Sequence, residues 1–394
     1  MTGHGESLCS IIIPVFNQLS FTKQCLQSIV EHTRDTPFEI VVVDNGSSDG
    51  TSEFLASFAR DHANTKVISF DSNRGYAEAN NEGAKISSGT YFAFLNNDTI
   101  VTDGWLKALF DTSSRDRAGL VGAKLLYPKW NRINHAGYVY DGSRSLFYLI
   151  YELYNPTLEA VNKEREFQAV LGACMFIKRD LFTAIGGFTH IGLEDIDLCL
   201  RVREAGYRVL YSPKSVIYHY GSVTIKGSAQ GSIPLTSTAD FLKRWPPNKL
   251  KDDHLGYYES DGYRLAKVEN GLVFLDDLVT PSNELVKQAI SCKENKQIEE
   301  AKRLLLKSIE LFPANSSSLV ELLTLYSEEK NLEGALDCAE QLVTRCPVFF
   351  DGYIYTIRLN IIAGRRERAS ELLGILKGQY DVPSNTVSEV EGMF

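Results

Sequence analysis

The chain has 394 residues, 41 basic against 50 acidic side chains, a formal net charge of −9 and a hydrophobic share of 44%. That length and balance suit roughly two to three globular domains and exclude disorder as the main state. The acidic excess argues against a general nucleic-acid binder, which needs a basic stripe to neutralise phosphates, but leaves room for a local anion site.

In chain order, Ser10 to Val15 and Glu39 to Val43 are continuous apolar runs rich in β-branched residues, as expected of strands buried on both faces. Leu19, Leu26, Ile29 and Val30 between them fall at near-helical spacing, and Thr51 to His62 reads as a second helix. Lys66 to Phe70 and Tyr91 to Leu95 supply two more strands around a helix at Gly75 to Ser87. This β-α-β-α-β-α-β rhythm predicts an α/β domain with a mostly parallel sheet covered by helices. Ligands of such sheets bind beyond the carboxyl ends of the strands, where Asp44-Asn45-Gly46 and Asn96-Asn97-Asp98 fall. Tyr127 to Gln168 is irregular and rich in Tyr, Val170 to Ile177 is apolar, and Arg179 to Ile185 is helix-like. Ser222 to Pro247 reads as a mobile or ligand-gated loop, and Asn248 to Thr280 has no clear pattern.

After Pro281 a 34-residue step appears. It relates Ala301, Ala335 and Ala369, Pro313 and Pro347, Leu285, Leu319 and Tyr353, and Ile298 and Leu332. Small packing points at that period predict an all-α array of helical pairs. The expected organisation is residues 1–250 as the α/β domain, 251–280 as a connecting segment and 281–394 as the repeat domain. No run approaches the ~20 apolar residues of a membrane span, and the first residues lack the features of a secretory leader. Seven cysteines without a C-x-x-C pair read as free thiols. A cytoplasmic protein is expected, with peripheral membrane contact left open.

The motifs of dinucleotide oxidoreductases, P-loop enzymes, zincins and α/β-hydrolases are missing. Four other elements remain. Ser10 to Asn17 is a strand ending in a turn that contains Pro14, and Val43 to Thr51 carries Asp44 at a strand end. Such a carboxylate either caps a turn and helix or accepts the N3–H of a pyrimidine base. Asn73-Arg74-Gly75 feeds a helix, and Arg74 beside a helix N-terminus suits a diphosphate. Asn96, Asn97 and Asp98 form an oxygen-rich cluster of the kind that hard divalent cations take.

This ordered set resembles the GT-A glycosyltransferases of family 2, above all the rhamnosyltransferase-like branch. The resemblance continues in Gly172 to Arg179, Gly186-Gly187-Phe188, Gly192-Leu193-Glu194-Asp195-Ile196-Asp197, Val216 to Ser222 and Phe241 to Trp245, and covers roughly residues 8 to 246. The C-terminal array resembles tetratricopeptide repeats, although the Trp and Gly-Tyr positions of the first helix are not filled in the usual way. The resemblance implies a Rossmann-like GT-A fold with helices on both faces of its sheet. It implies that Pro14, Asp44, Asn73 and Arg74 bind the nucleotide, with Asp44 on the base. Asn96, Asn97 and Asp98 occupy the DxD position, where only Asp98 keeps a carboxylate to ligate Mg²⁺ or Mn²⁺. His219 matches a histidine that completes that metal site. Asp195 matches the base that deprotonates the acceptor hydroxyl in a single inverting displacement, with Glu194 beside it to bind the acceptor. Acids at a helix N-terminus also arise for dipole reasons alone.

The implied function is transfer of a sugar from a UDP- or dTDP-sugar to a hydroxyl of a glycan, glycolipid or protein, in polysaccharide or glycoprotein biosynthesis. The repeats would bind the acceptor, a partner protein or a second copy of the chain. A sugar-nucleotidyltransferase fits less well, because Pro14-Val15-Phe16-Asn17 stands where a Gly-rich phosphate loop would be needed. The other alternative is a catalytically degenerate scaffold that binds proteins through its repeats.

Overall fold

All of Cys9–Val15 (β1) except Pro14 is buried, because this strand is covered by helices on both faces. Successive side chains of a strand point to opposite faces. Ile11 and Ile13 therefore pack with Cys25, Leu26 and Ile29 on one side. Ile12 packs on the other side in a cluster with Ala77, Phe94 and Phe182. The computed structural model describes residues 9–190, 192–221, 235–269, 272–346, 349–379, 390–392 and 394.

The chain divides into two compact units, residues 1–152 with 156–254, and residues 153–155 with 255–394. In the first unit β1 is followed by α1 (Leu19–His32), β2 (Phe38–Asp44), α2 (Thr51–Asp61), β3 (Thr65–Ser69), α3 (Tyr76–Ile86) and β4 (Tyr91–Leu95). Each lies within a few residues of its predicted span, as local apolar periodicity requires. Then come β5 (Thr99–Val101), α4 (Trp105–Ser113), β6 (Ala118–Tyr127), β7 (Arg132–His135), β8 (Tyr138–Asp141), β9 (Leu146–Leu149) and β10 (Arg165–Phe167). The Tyr-rich stretch expected to be irregular thus holds four short strands. β11 (Cys174–Lys178), α5 (Arg179–Ala184), α6 (Glu194–Glu204), β12 (Arg208–His219) and α7 (Leu235–Arg244) complete the unit. Residues 222–234 of the expected loop lie outside the described residues, and its later part, Leu235–Arg244, is helical.

Among the described residues, ten strands form one mixed sheet in the order β10-β12-β6-β11-β4-β1-β2-β3, with β5 on β12 and β7 on β6. The β3-β2-β1-β4 half is parallel, as is the β6–β12 pair, and β11 runs antiparallel between β4 and β6. The carboxyl ends of β1, β2 and β4 consequently share one edge. β11 starts there, since Cys174 pairs with Leu95, the last residue of β4.

Among the described residues, the second unit contains α8 from Leu255 onward (His254–Ser260), the hairpin β13 (Leu265–Glu269) and β14 (Leu272–Leu275), and six longer helices. The stretch 251–280, expected to be a connecting segment, is therefore mostly regular structure. The helices are α9 (Asp276–Glu294), α10 (Ile298–Leu311), α11 (Ser316–Glu328), α12 (Leu332–Arg345), α13 (Phe350–Ile362) and α14 (Arg366–Gln379). α9 begins before Pro281, so the expected boundary at 280/281 falls inside a helix. Proline there removes one backbone donor, and the remaining packed turns carry the helix past it. Each of these helices packs on the next. Ala301, Ala335 and Ala369 are all buried at the same place in α10, α12 and α14, where a small side chain permits close helix approach. Pro347 lies outside the described residues. Among the described residues no helix is long and apolar enough to cross a membrane.

Candidate active site

The shared edge of β1, β2 and β4 opens into a cavity of ≈ 420 Å³. Pro14, Val15 and Phe16 line it from the end of β1, Asn45 from the end of β2, and Asn96, Asn97 and Asp98 from beyond β4. Asn73, Gly75 and Tyr76 enter from the start of α3, and Leu171, Gly172 and Ala173 from the loop before β11. Glu194 and Asp195 open α6, and His219 closes β12. His219 reaches this edge because β5 pairs with the end of β12, which sets His219 opposite Thr99 and ties Tyr220 N to Asp98 O at 3.0 Å.

Of the residues singled out from the sequence, Pro14, Asn73, Asn96, Asn97, Asp98, Glu194, Asp195 and His219 meet on this one surface. Asp44 and Arg74 do not line it. The Asp44 carboxylate is buried and turned back into its own loop, accepting from Ser47 N at 3.0 Å and from Ser52 Oγ. Of the two uses that the sequence left open for it, the local turn is the one this geometry displays. Nearby, Asp49 accepts from Leu19 N at 3.0 Å and so caps α1 from another loop. Arg74 is exposed, with its guanidinium 4.3 Å from the centroid of Phe70, while its neighbours Asn73 and Gly75 face the cavity.

Asn45 falls in the Asp44-Asn45-Gly46 motif singled out from the sequence, which gave it no role of its own. Its amide holds the next loop, donating to Asn73 Oδ1 at 2.9 Å and Gly75 O at 3.2 Å and accepting from Arg74 N at 2.8 Å. The close approach requires glycine at 46. Its φ is +84°, and a Cβ would sit 2.7 Å from the Ser72 backbone. Gly46→Ala should destabilise the fold by about 1–3 kcal/mol, read as a lower denaturant midpoint at unchanged slope.

Asp195 is half-buried against the cavity. Its Oδ2 accepts from Gly172 N at 2.9 Å and its Oδ1 from Ile196 N at 2.9 Å. Burial pushes its carboxyl up to about 6; the two N–H groups oppose the shift and the neighbouring Glu194 adds to it. A base of that strength is mostly ionised at neutral pH yet takes a proton readily. Asp197, two residues on, faces the other way and is fully buried. It accepts from Thr189, Arg201, Arg244 and Trp245.

Asp98 and His219 are 7% and 5% exposed, with His219 Nε2 3.4 Å from Asp98 Oδ1. His219 Nδ1 lies 2.7 Å from Asn134 Oδ1, which makes Nδ1 the protonated nitrogen and leaves a lone pair on Nε2. Nε2 is buried without a hydrogen-bond partner among the described residues. An orphaned imidazole nitrogen facing a carboxylate suits a divalent cation, whose remaining positions water and phosphate oxygens can fill. Asn97 adds less than its motif position suggests, because its Nδ2 donates to Thr22 Oγ1 at 3.0 Å. A separate cluster, Asp141, Asp252 and His254, lies off this cavity, and its Asp141 carboxylate is engaged by Ser143 and Arg144.

Residues 10–186 match the family model of glycosyl transferase family 2. The uncharacterized protein y4gI of Sinorhizobium fredii is 34% identical over 260 residues, covering 63% of this chain and 28% of its own length. The O-antigen biosynthesis protein RfbC of Myxococcus xanthus is 28% identical, with 57% and 18% covered. Glycosyltransferase AglE of Haloferax volcanii is 28% identical, with 52% and 64% covered. The chain thus spans less than a third of the first two relatives. Among solved structures, GalNAc-T7 with UDP, GalNAc and Mn²⁺ aligns at a TM-score of 0.47 and 18% identity, over 54% of this chain and 43% of that one. The mannosyltransferase PcManGT of Pyrobaculum calidifontis, in complex with GDP-Man and Mn²⁺, aligns at 0.43 and 17%, over 96% and 89%.

Proposed function

We propose that this chain is a metal-assisted, inverting glycosyltransferase of the GT-A type, which moves a sugar from a nucleotide diphosphate to an acceptor hydroxyl. The observation that carries the reading is the meeting of Asp195 with the Asp98–His219 pair in one cavity, at the carboxyl edge of the parallel strands. Asp195 takes the proton of the acceptor hydroxyl as that oxygen attacks the anomeric carbon and the bond to the diphosphate breaks. Glu194 lies on the same rim and orients the acceptor. Asp98 and His219 would hold Mg²⁺ or Mn²⁺, which when bound would supply charge neutralisation to a diphosphate leaving group. Pro14 to Phe16, Asn45 and Asn73 shape the nucleotide side. Asp44 and Arg74 support that side from behind it, through the loops they belong to.

The donor is a UDP- or dTDP-sugar and the acceptor a glycan, glycolipid or protein. The helical pairs of the second unit, read as tetratricopeptide-like, serve to bind an acceptor, a partner protein or another copy. The relatives named for O-antigen biosynthesis and glycosyl transfer support a place in cell-surface polysaccharide or glycoprotein assembly.

The test is release of nucleotide diphosphate from a panel of nucleotide sugars, with and without Mn²⁺. Metal-dependent turnover of one donor is expected, lost in Asp98→Ala. No turnover, together with no rise in melting temperature on adding any nucleotide, would transfer the argument to a protein-binding scaffold.

A further inference from the structure

His135, the last residue of β7, is fully buried and has no place in the reaction described above. Its ring is held between two backbone groups. Nδ1 lies 3.1 Å from Ala123 O, and only a donor can serve a carbonyl, so Nδ1 carries the proton. Nε2 keeps its lone pair and accepts the N–H of Leu171 at 3.1 Å. Only the neutral Nδ1–H imidazole satisfies both partners. Burial favours the same form, pushing the ring's pKa down to about 4.

The peptide that His135 grips leads directly to the candidate base. Gly172, next after Leu171, donates its N–H to Asp195 Oδ2 and accepts from the Tyr76 hydroxyl at 3.0 Å. A Cβ on Gly172 would lie 3.1 Å from Asp195 Cβ, so the backbone approaches as closely as glycine permits. Among the described residues, those whose ionisation is linked to that of Asp195 include Glu194 and Cys199 on its own helix, Tyr76 from α3 and Tyr138 from β8. Each is neutral or negative. The ionised carboxylate is therefore stabilised by backbone N–H groups, and the direction of the Gly172 N–H matters.

We propose that His135 is a positioning residue: by holding the Leu171 N–H of the Val170–Leu171 peptide it anchors the backbone one residue before Gly172, so that the Gly172 N–H stays aimed at the Asp195 carboxylate, and through it sets the proton affinity of the base. The catalytic part of this proposal rests on Asp195 being the base. Its structural part does not.

Two variants separate the ring's bonds. His135→Asn keeps a donor near the Nδ1 position but offers nothing to Leu171 N–H. His135→Gln places an amide oxygen near the Nε2 position. The readout is the ¹³C carboxyl titration of Asp195 in the full chain, assigned by its loss in Asp195→Asn. The midpoint should rise by about one pH unit in His135→Asn and stay near that of the wild type in His135→Gln. A folded His135→Asn with the wild-type midpoint, or a His135→Gln shifted as far as His135→Asn, would overturn the proposal.

If His135→Asn does not fold, the wild-type ring decides. Its ¹⁵N signals should report a neutral Nδ1–H tautomer from about pH 5 to 8, with coupling across the hydrogen bond to Leu171 N. A cationic ring, or a proton on Nε2, overturns the proposal. Where donor turnover is measurable, the acid limb of kcat should move with the carboxyl midpoint while the donor KM stays constant. Transfer by Asp195→Asn at the wild-type rate would remove the base assignment and leave the titration result standing.

Discussion

Asp195→Asn should bind donor as the wild type does while transferring sugar about 10²–10⁴-fold more slowly. The amide keeps the size of the side chain but cannot accept the acceptor's proton. In the wild type, activity should rise with pH through about 6, where the half-buried carboxyl ionises. The sign for stability is opposite. The folded carboxyl binds its proton more tightly than the ordinary value of 3.8, so stability falls as pH rises from about 4 to about 6. Removing that ionisation should leave the melting temperature at pH 7 equal to the wild-type value or above it. Rates across pH, donor titration by calorimetry and a thermal melt check the three statements. Undiminished transfer would place the base elsewhere.

The second large effect concerns Asp197, two residues beyond the proposed base Asp195 and chemically its opposite. Its buried carboxylate joins Arg201 Nε at 2.8 Å, Arg244 Nη1 at 3.0 Å, Trp245 Nε1 at 2.9 Å and Thr189 Oγ1 at 2.7 Å. Burial alone would raise this carboxyl, yet the bonds from Trp245 and Thr189 and the two guanidiniums hold it below its ordinary value. Asp197→Ala leaves the partly buried Arg201 without its counter-ion and should cost about 3–5 kcal/mol, read from denaturant unfolding. A carboxyl held low contributes stability that is present above its unfolded value of 3.8 and lost as pH falls through the folded one. The variant should therefore lose its stability deficit in acid. An unchanged midpoint at neutral pH would show that the cluster adds nothing net. Because Asp197 ties Arg244 and Trp245 to the helix that starts with Glu194 and Asp195, its loss should also lower transfer.

Much of the first unit was legible in the sequence because its signals are local. Runs such as Ile11-Ile12-Ile13 and Val41-Val42-Val43 are short, β-branched and continuous, as strands buried on both faces are, and their βαβ spacing favours parallel neighbours. The 34-residue step likewise placed Ala301, Ala335 and Ala369 at equivalent buried points. The less legible stretches lacked such periodicity. β7 to β10 are four residues or fewer, too short to show alternation, and they gain definition from pairing with β6, β12 and each other.

The sequence by itself determined which of the strongly periodic segments are strands and helices, and which short polar motifs follow the strands. Both are read from neighbours a few positions apart. The direction in which each polar side chain turns was decided by tertiary structure. Asp44 sits in the motif that suggested base recognition, yet the left-handed turns at Gly46 and Gly50 bring Ser47 and Ser52 to its carboxylate. Asp195 and Asp197 are equivalent by composition, but one meets Gly172 N across 23 residues and the other meets Trp245 across 48. His219 became a candidate ligand with a defined lone pair only through Asn134, 85 residues away. The partners a polar group finds at such distances depend on which strands lie side by side and in which register, and no local pattern carries that information.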